Sequence, residues 1–374
     1  MIIDPHIKVS ETSPVYLDGS ECEGNLTQFQ RFREANRTEN FTSIWIKDKF
    51  GNQTVHECWP QQSVWVDFLN ENARAWWKSL MLPSFFKDTS SLYSFWIDMN
   101  EPAVFNNPTM TLPLSSLHYL RDGKAVQHKD VHNLYGLLQH KATFEGQLER
   151  DEHKQRPFVL TRAFFFGSQK YGFFWTGDNR EGFQELRATV QMLLSASVAG
   201  LPFGGSDVPS FEGEHTDHTI VCGYELGLLM PFFRAHSHQS NPLREPWIQS
   251  ERAQAAIKKV LDTRYRIFPY LYTAAYMSTK NGVPIWRPMY FEYPEDEQLF
   301  EVDSQFMFGP SILAAPKTEQ KFIMPGETVT KKVDRKVVQS FTNTKDTPVY
   351  QVMPLLPEKY YNFNSQEAMK AGKY

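Results

Sequence analysis

Two aspartates stand at the ends of apolar runs. Phe95-Trp96-Ile97 leads into Asp98, followed by Met99-Asn100-Glu101-Pro102, and Phe173-Phe174-Trp175 leads through Thr176-Gly177 into Asp178-Asn179. An aspartate after a strand often caps the next helix, so neither is diagnostic alone. As a pair in different surroundings they match what glycosidic bond cleavage needs. One carboxylate stays ionised to attack or stabilise the anomeric carbon, and the other carries a proton for the leaving oxygen. Like charges held close, with partial burial, raise one pKa and so separate the roles. Arg162 and His236 also follow apolar runs, where each could bind sugar hydroxyls or serve as an ordinary ion pair or core histidine. Trp96 and Trp175 precede the aspartates closely enough to wall a pocket, while Asp207 and Glu101 are rival carboxylates better suited to positioning substrate or neighbouring side chains. Paired carboxylates would also suit metal-assisted hydrolysis, but the chain carries no H-E-x-x-H or comparable ligand spacing.

The elements that must present these groups follow from the hydrophobic pattern. Short buried strands are expected at Ile2-Ile3, Tyr93 to Ile97, Phe158 to Leu160, Phe173 to Trp175, Leu201 to Phe203 and Pro231 to Phe233. Helical patterns fall between them, at Asn70 to Leu80, His132 to Leu148, Phe183 to Val198, His218 to Leu229 and Glu251 to Met277. Strands alternating with helices predict a parallel sheet with crossover helices. Polar residues at strand carboxyl ends suit both a (β/α)₈ barrel and an open doubly wound sheet. No Gly-rich dinucleotide fingerprint and no Walker loop follows any strand, so the barrel is preferred. One apolar run lies between those bearing Asp98 and Asp178, so in a closed barrel the two would stand two strands apart and face one another across the mouth.

Composition narrows the class. The chain has 374 residues, with 39 Lys plus Arg against 43 Asp plus Glu, so a net charge of −4 excludes the basic footprint of a nucleic-acid binder. No apolar run approaches the ~18 residues of a membrane span. Aromatic residues make up 14% of the chain, enough for a large core or for a surface on which sugar rings pack. No signal peptide is visible in this chain, and Ile2-Ile3-Asp4-Pro5 reads as the end of a buried strand, which predicts further sequence upstream. The stretch near 16–62 breaks the alternation and reads as a long polar surface insertion. It holds four glycosylation sequons, at Asn25, Asn36, Asn40 and Asn52, whose clustering favours the secretory pathway. Cys22, Cys58 and Cys222 are too few for a disulfide scaffold or zinc site, although Cys22 could pair with Cys58. After Met277 short apolar runs separated by Gly and Pro predict a β domain.

The motifs are recognisable together. Trp96-Ile97-Asp98-Met99-Asn100-Glu101-Pro102 resembles the nucleophile motif of glycoside hydrolase family 31, the retaining α-glucosidases and their relatives, and Trp175-Thr176-Gly177-Asp178-Asn179 resembles that family's acid/base motif. The likeness continues through Arg156 to Phe165, Gly167-Ser168-Gln169, Pro231 to His236, Arg287-Pro288 and Gln305 to Gly309. Asp4-Pro5-His6-Ile7-Lys8, Cys58-Trp59-Pro60 and His128 to Asn133 resemble the branch that trims glucose from N-linked glycans in the endoplasmic reticulum lumen.

The resemblance implies a (β/α)₈ barrel over 1–281, lacking its first strands, and the start of a C-terminal β-sandwich region over 282–374. It implies no metal or other cofactor, an oligosaccharide substrate and a non-catalytic β subunit as partner. Asp98 would be the nucleophile and Asp178 the acid/base; Arg162, Asp207 and His236 would hold sugar hydroxyls; Trp59, Trp96, Met99, Trp175 and Phe211 would line the first glucose subsite. Starch- or maltose-type hydrolysis and a catalytically silent glycan-binding product remain the alternatives. The chain opens at what resembles the third barrel strand, so two strands and an upstream substrate-binding Asp are expected outside it, and an open barrel edge predicts instability. Locally, Gln61 replaces a usual Gly after Trp-Pro, and Pro209-Ser210 replaces a usual Gly pair before Phe211.

Overall fold

The structure is a computed structural model that describes residues 1–23, 44–90, 92–316 and 318, together with four short strands nearer the C-terminus. The chain divides into two compact units, Met1–Gly177 with Ala199–Gly205, and Asp178–Val198 with Ser206–Tyr374.

The first unit is built on a five-stranded parallel sheet, in the order Ile2–Ile3, Phe95–Ile97, Val159–Thr161, Phe173–Trp175 and Gly204–Gly205. Its strands are apolar on successive residues because a parallel sheet is covered on both faces, and Phe95, Ile97, Val159, Leu160, Phe174 and Trp175 are all buried. Register sets the chemistry. Ile3 pairs with Ile97, Ile97 with Thr161, and Thr161 with Phe174. One residue further on therefore come Asp4, Asp98 and Arg162, side by side at the carboxyl edge.

Two helices of this unit pack together. Glu71–Leu80 is capped by Asn70, whose side chain accepts from the Asn72 amide, and it buries Ala73, Trp76, Trp77 and Leu80 at helical spacing. Tyr135–Arg150 meets it through Gly146, where a Cβ would lie 2.9 Å from Met81 Cγ, and through a 2.9 Å hydrogen bond from Trp77 Nε1 to Thr143 Oγ1. At the other end of that helix, a Cβ at Gly136 would lie 2.7 Å from Ala163 Cβ and 3.0 Å from the Asn100 carbonyl oxygen. Only glycine lets the helix approach the Asp98 turn this closely.

Several expectations shift. Pairing falls on Gly204–Gly205 rather than Leu201 to Phe203, and on Arg234–Ala235 rather than Pro231 to Phe233. In both cases a proline inside the apolar run lacks the N–H a ladder requires. The 16–62 stretch is not all surface: Pro14–Cys22 is a helix, Ile44, Trp45 and Ile46 are fully buried, and His56–Cys58 and Gln61–Trp65 form an antiparallel sheet with His6–Lys8. Asn25, Asn36 and Asn40 lie outside the described residues, while Asn52 is exposed. Cys22 and Cys58 are each buried as thiols, so no disulfide joins them.

In the second unit Asp207–Val208 pairs in parallel with Arg234–Ala235. Its helices are Phe183–Val198, Asp217–Gly227 and Glu251–Asn281. The last begins at a Ser250 cap and ends at Gly282, which takes the left-handed conformation at φ 75°. Arg264 on this helix donates to the Leu228 and Met230 carbonyls at 2.7 and 2.9 Å, satisfying the end of Asp217–Gly227. Beyond Gly282 the expected β structure appears: Trp286–Pro288, Phe306–Phe308 and Ile312–Ala314 form an antiparallel sheet, with the Trp286 and Phe306 rings stacked at 3.8 Å. Thr328–Val333 pairs with Lys336–Thr342, and Lys359–Asn362 with Glu367–Lys370.

Candidate active site

In the first unit Asp98 meets Arg162, whose Nη1 lies 2.9 Å from Asp98 Oδ1. Arg162 is itself fixed by a two-pronged contact with Glu101, Nε to Oε1 at 2.8 Å and Nη2 to Oε2 at 2.9 Å, and its Nη2 lies 3.0 Å from Met99 Sδ. Such a fork holds a guanidinium in one plane. The turn that follows Asp98 is unusual, since Met99 has φ 56°, in the left-handed region that side chains disfavour. Asn100 secures it: its Nδ2 donates to Thr161 Oγ1 at 2.9 Å, and its Oδ1 accepts from the Ala163 amide at 2.8 Å. Trp96 and Trp175 stand edge to face, with ring centroids 5.5 Å apart. The sequence-predicted Asp98, Met99, Arg162, Trp96 and Trp175 thus gather around one sheet edge. Trp59 is 68% exposed, and its ring meets Phe105 edge-on at 4.8 Å.

Asp4 belongs to this cluster, and the motif reading passed over it. Burial, and then the neighbouring Asp98 charge, push its carboxyl up to about 7. The signal was present, because Ile2-Ile3-Asp4 repeats the apolar-run-then-acid pattern of Asp98. Cys58 offers no rival nucleophile here, since burial pushes its thiol up to about 11.

The second unit carries Asp178, Asp207, Phe211 and His236. Asp178 is exposed, and its neighbour Asn179 is buried. Asn179 accepts from the Phe211 amide through its carbonyl at 2.8 Å and donates from Nδ2 to the Asp207 carbonyl at 3.0 Å. The Phe211 ring lies 5.3 Å from that of His236. Asp207 is buried, with Oδ1 2.6 Å from Arg234 Nε. Pro209-Ser210 is well accommodated, as Ser210 Oγ donates to Glu181 and the Ser210 carbonyl accepts from Arg244 at 2.7 Å. Arg234 and Asn179 were the residues here that carried no visible signal beyond their place in a motif. Among the described residues no three His, Cys, Asp or Glu side chains are placed to hold a metal ion, and no helix is long and apolar enough to cross a membrane.

Residues 1–274 match the family model described as the glycosyl hydrolases family 31 TIM-barrel domain. The chain belongs to glycosyl hydrolase family 31. Residues 282–374 match the model of that family's C-terminal domain, so the α/β barrel followed by a further domain holds. A probable glucan 1,3-alpha-glucosidase from Oryza sativa subsp. japonica is 37% identical over 331 residues, covering 87% of this chain and 33% of the relative. A crystal structure of a glucosidase II alpha subunit, described as alpha3-Glc2-bound, superposes with a TM-score of 0.81 at 35% identity, covering 100% of this chain and 35% of that one. A structure of an ER glucosidase II heterodimeric complex, of catalytic subunit and the binding domain of the regulatory subunit, gives a TM-score of 0.77 at 37% identity, over 93% of this chain and 36% of that one. The family 31 chain thus spans about a third of the length of these relatives.

Proposed function

We propose that this chain carries the catalytic residues of a retaining α-glucosidase that releases terminal α-linked glucose from N-linked glycans, as a glucosidase II alpha subunit would. The observation that carries the reading is the Asp98–Arg162–Glu101 arrangement. A carboxylate nucleophile must be anionic and aimed, and a guanidinium locked by a second carboxylate supplies both opposite charge and fixed direction. Asp98 attacks C1 of the glucose while Asp178, which its motif marks as the acid/base, gives its proton to the departing oxygen. The C1–O bond to the aglycone breaks and a glucosyl ester forms on Asp98. Asp178, now a carboxylate, then takes a proton from water, which attacks C1 and frees Asp98, releasing glucose with its α configuration.

We assign hydroxyl contacts to Arg162, Asp207 and His236, with Asp207 acting as one half of its ion pair to Arg234. To Trp59, Trp96, Met99, Trp175 and Phe211 we assign the lining of the first glucose subsite, as the family resemblance implies. The names of the rice relative and of the bound glucosidase II support an α-1,3 linkage and a glycan substrate. The heterodimeric relative supports a non-catalytic β subunit as partner and the endoplasmic reticulum lumen as compartment, in keeping with the clustered sequons. We place the boundary between barrel and C-terminal region at 281/282, where Gly282 ends the long helix.

Proton NMR of the first turnovers on an aryl α-glucoside tests the mechanism. α-Glucose as the first product is the expected result, and β-glucose would exclude a glucosyl ester. Competition between diglucosylated N-glycan and maltose tests the substrate, with preference for maltose pointing to a starch-type enzyme instead.

A further inference from the structure

Behind the Asp98 turn, Asp67, Thr111, His118 and His128 are all buried within the first unit. Burying such groups is costly unless each is bonded. Asp67 Oδ1 lies 2.8 Å from His118 Nδ1, while its two oxygens also accept the Leu69 and Tyr119 amides at 3.2 and 2.7 Å. His118 Nε2 lies 2.9 Å from His128 Nδ1. Thr111 Oγ1 donates to the Pro102 carbonyl at 2.8 Å and is faced at 3.5 Å by Nε2 of both His128 and His132.

Donor counting orders the protons. The single hydroxyl proton of Thr111 goes to Pro102, so toward the imidazoles its oxygen can only accept. Burial pushes His128 down to about 3, so it is neutral and carries a single ring proton. One ring proton lies on the 2.9 Å contact between His128 Nδ1 and His118 Nε2, and His118 Nδ1 donates to an Asp67 carboxylate that already accepts two backbone amides.

We propose that Asp67, His118, His128 and Thr111 form a relay that positions Pro102 and, through it, the turn carrying Asp98 and Glu101. This rests on the nucleophile role given to Asp98. The turn needs holding because left-handed backbone is strained at a residue with a side chain, such as Met99 at φ 56°. Asn100 holds its middle, and Thr111 holds its far end at the Pro102 carbonyl and at a backbone bridge to Ala103. Glu101, between them, is what aims Arg162 at Asp98. The members of the relay are positioning residues, since none touches the reacting atoms.

The test is Thr111→Val in the intact protein, which keeps the shape and removes the hydroxyl. Because small misplacements of a reacting group are costly, kcat on an aryl α-glucoside is expected to fall about tenfold with KM within about twofold, and Thr111→Ser to restore it. Nitrogen-15 imidazole spectra of the wild type are expected to place a proton on His118 Nδ1, toward Asp67. Unchanged kcat in folded Thr111→Val, or a loss that follows only the unfolded fraction, overturns the positioning role. A His118 Nδ1 that carries no proton overturns the relay. A wild type that releases no glucose would overturn the function reading alone, and the spectra would still decide the relay.

Discussion

Asp4 and Asp98 sit one position past the paired ends of neighbouring parallel strands, yet the protein treats them differently. Asp98 is given a guanidinium, and Asp4 is given burial and the adjacent negative charge. A carboxyl whose pKa rises from 3.8 to about 7 binds an extra proton in the folded state between those values, so its contribution to stability falls as pH rises through that window and is level above it. His6, lowered to about 4, and His128 and His140, lowered to about 3, act in the opposite sense, since the unfolded chain binds their protons first. The comparison of wild type with Asp4→Asn isolates the acid. The stability of wild type relative to the variant should decline between pH 4 and 7 in denaturant titrations. A pH-independent difference would mean that Asp4 keeps an ordinary carboxyl. Asp98 was legible because it ends a pure apolar run. Its locking by Glu101 through Arg162 was not, because that pairing spans 61 positions and only strand register creates it.

The strands and helices that carry the site were readable from hydrophobic spacing, with Phe173–Trp175 and Phe183–Val198 matching their expected bounds. Errors arose where a proline sat inside an apolar run, as at Pro202 and Pro231, and where sequons and charges masked a core segment, as at Ile44 to Ile46. One substitution noted in the sequence has a structural meaning. Gln61 closes the Trp59-Pro60 turn at φ 70°, the left-handed region where glycine is at ease, which is why a glycine is usual there. Gln61→Gly should therefore stabilise the protein by about 0.5–1 kcal/mol, once relief of the strain is set against the added freedom of the unfolded chain. Chemical denaturation checks this, and a loss of stability would mean that the Gln61 side chain contributes more than its backbone costs.

At the scale of the molecule, parallel strands with acids at their carboxyl ends favour a barrel, and a pair of aspartates in different surroundings fits glycosidic cleavage. The family match then agrees with that reading over residues 1–274. The buried Asp67–His118–His128 cluster shows what pattern alone does not reach. Asp67 and His118 lie 51 positions apart and His128 a further 10 on, in segments with no shared motif, and only the fold brings them together behind the Asp98 turn. The proposed mechanism turns on Asp98 forming the covalent bond to glucose. A 5-fluoro-α-glucosyl fluoride, whose enzyme ester hydrolyses slowly, measures this directly when the labelled protein is digested and mapped by mass spectrometry. Attack by Asp98 predicts inactivation with a single fluoroglucosyl group on the peptide containing Asp98. An adduct on Asp178 or any other carboxylate, or steady turnover with no adduct, would contradict it.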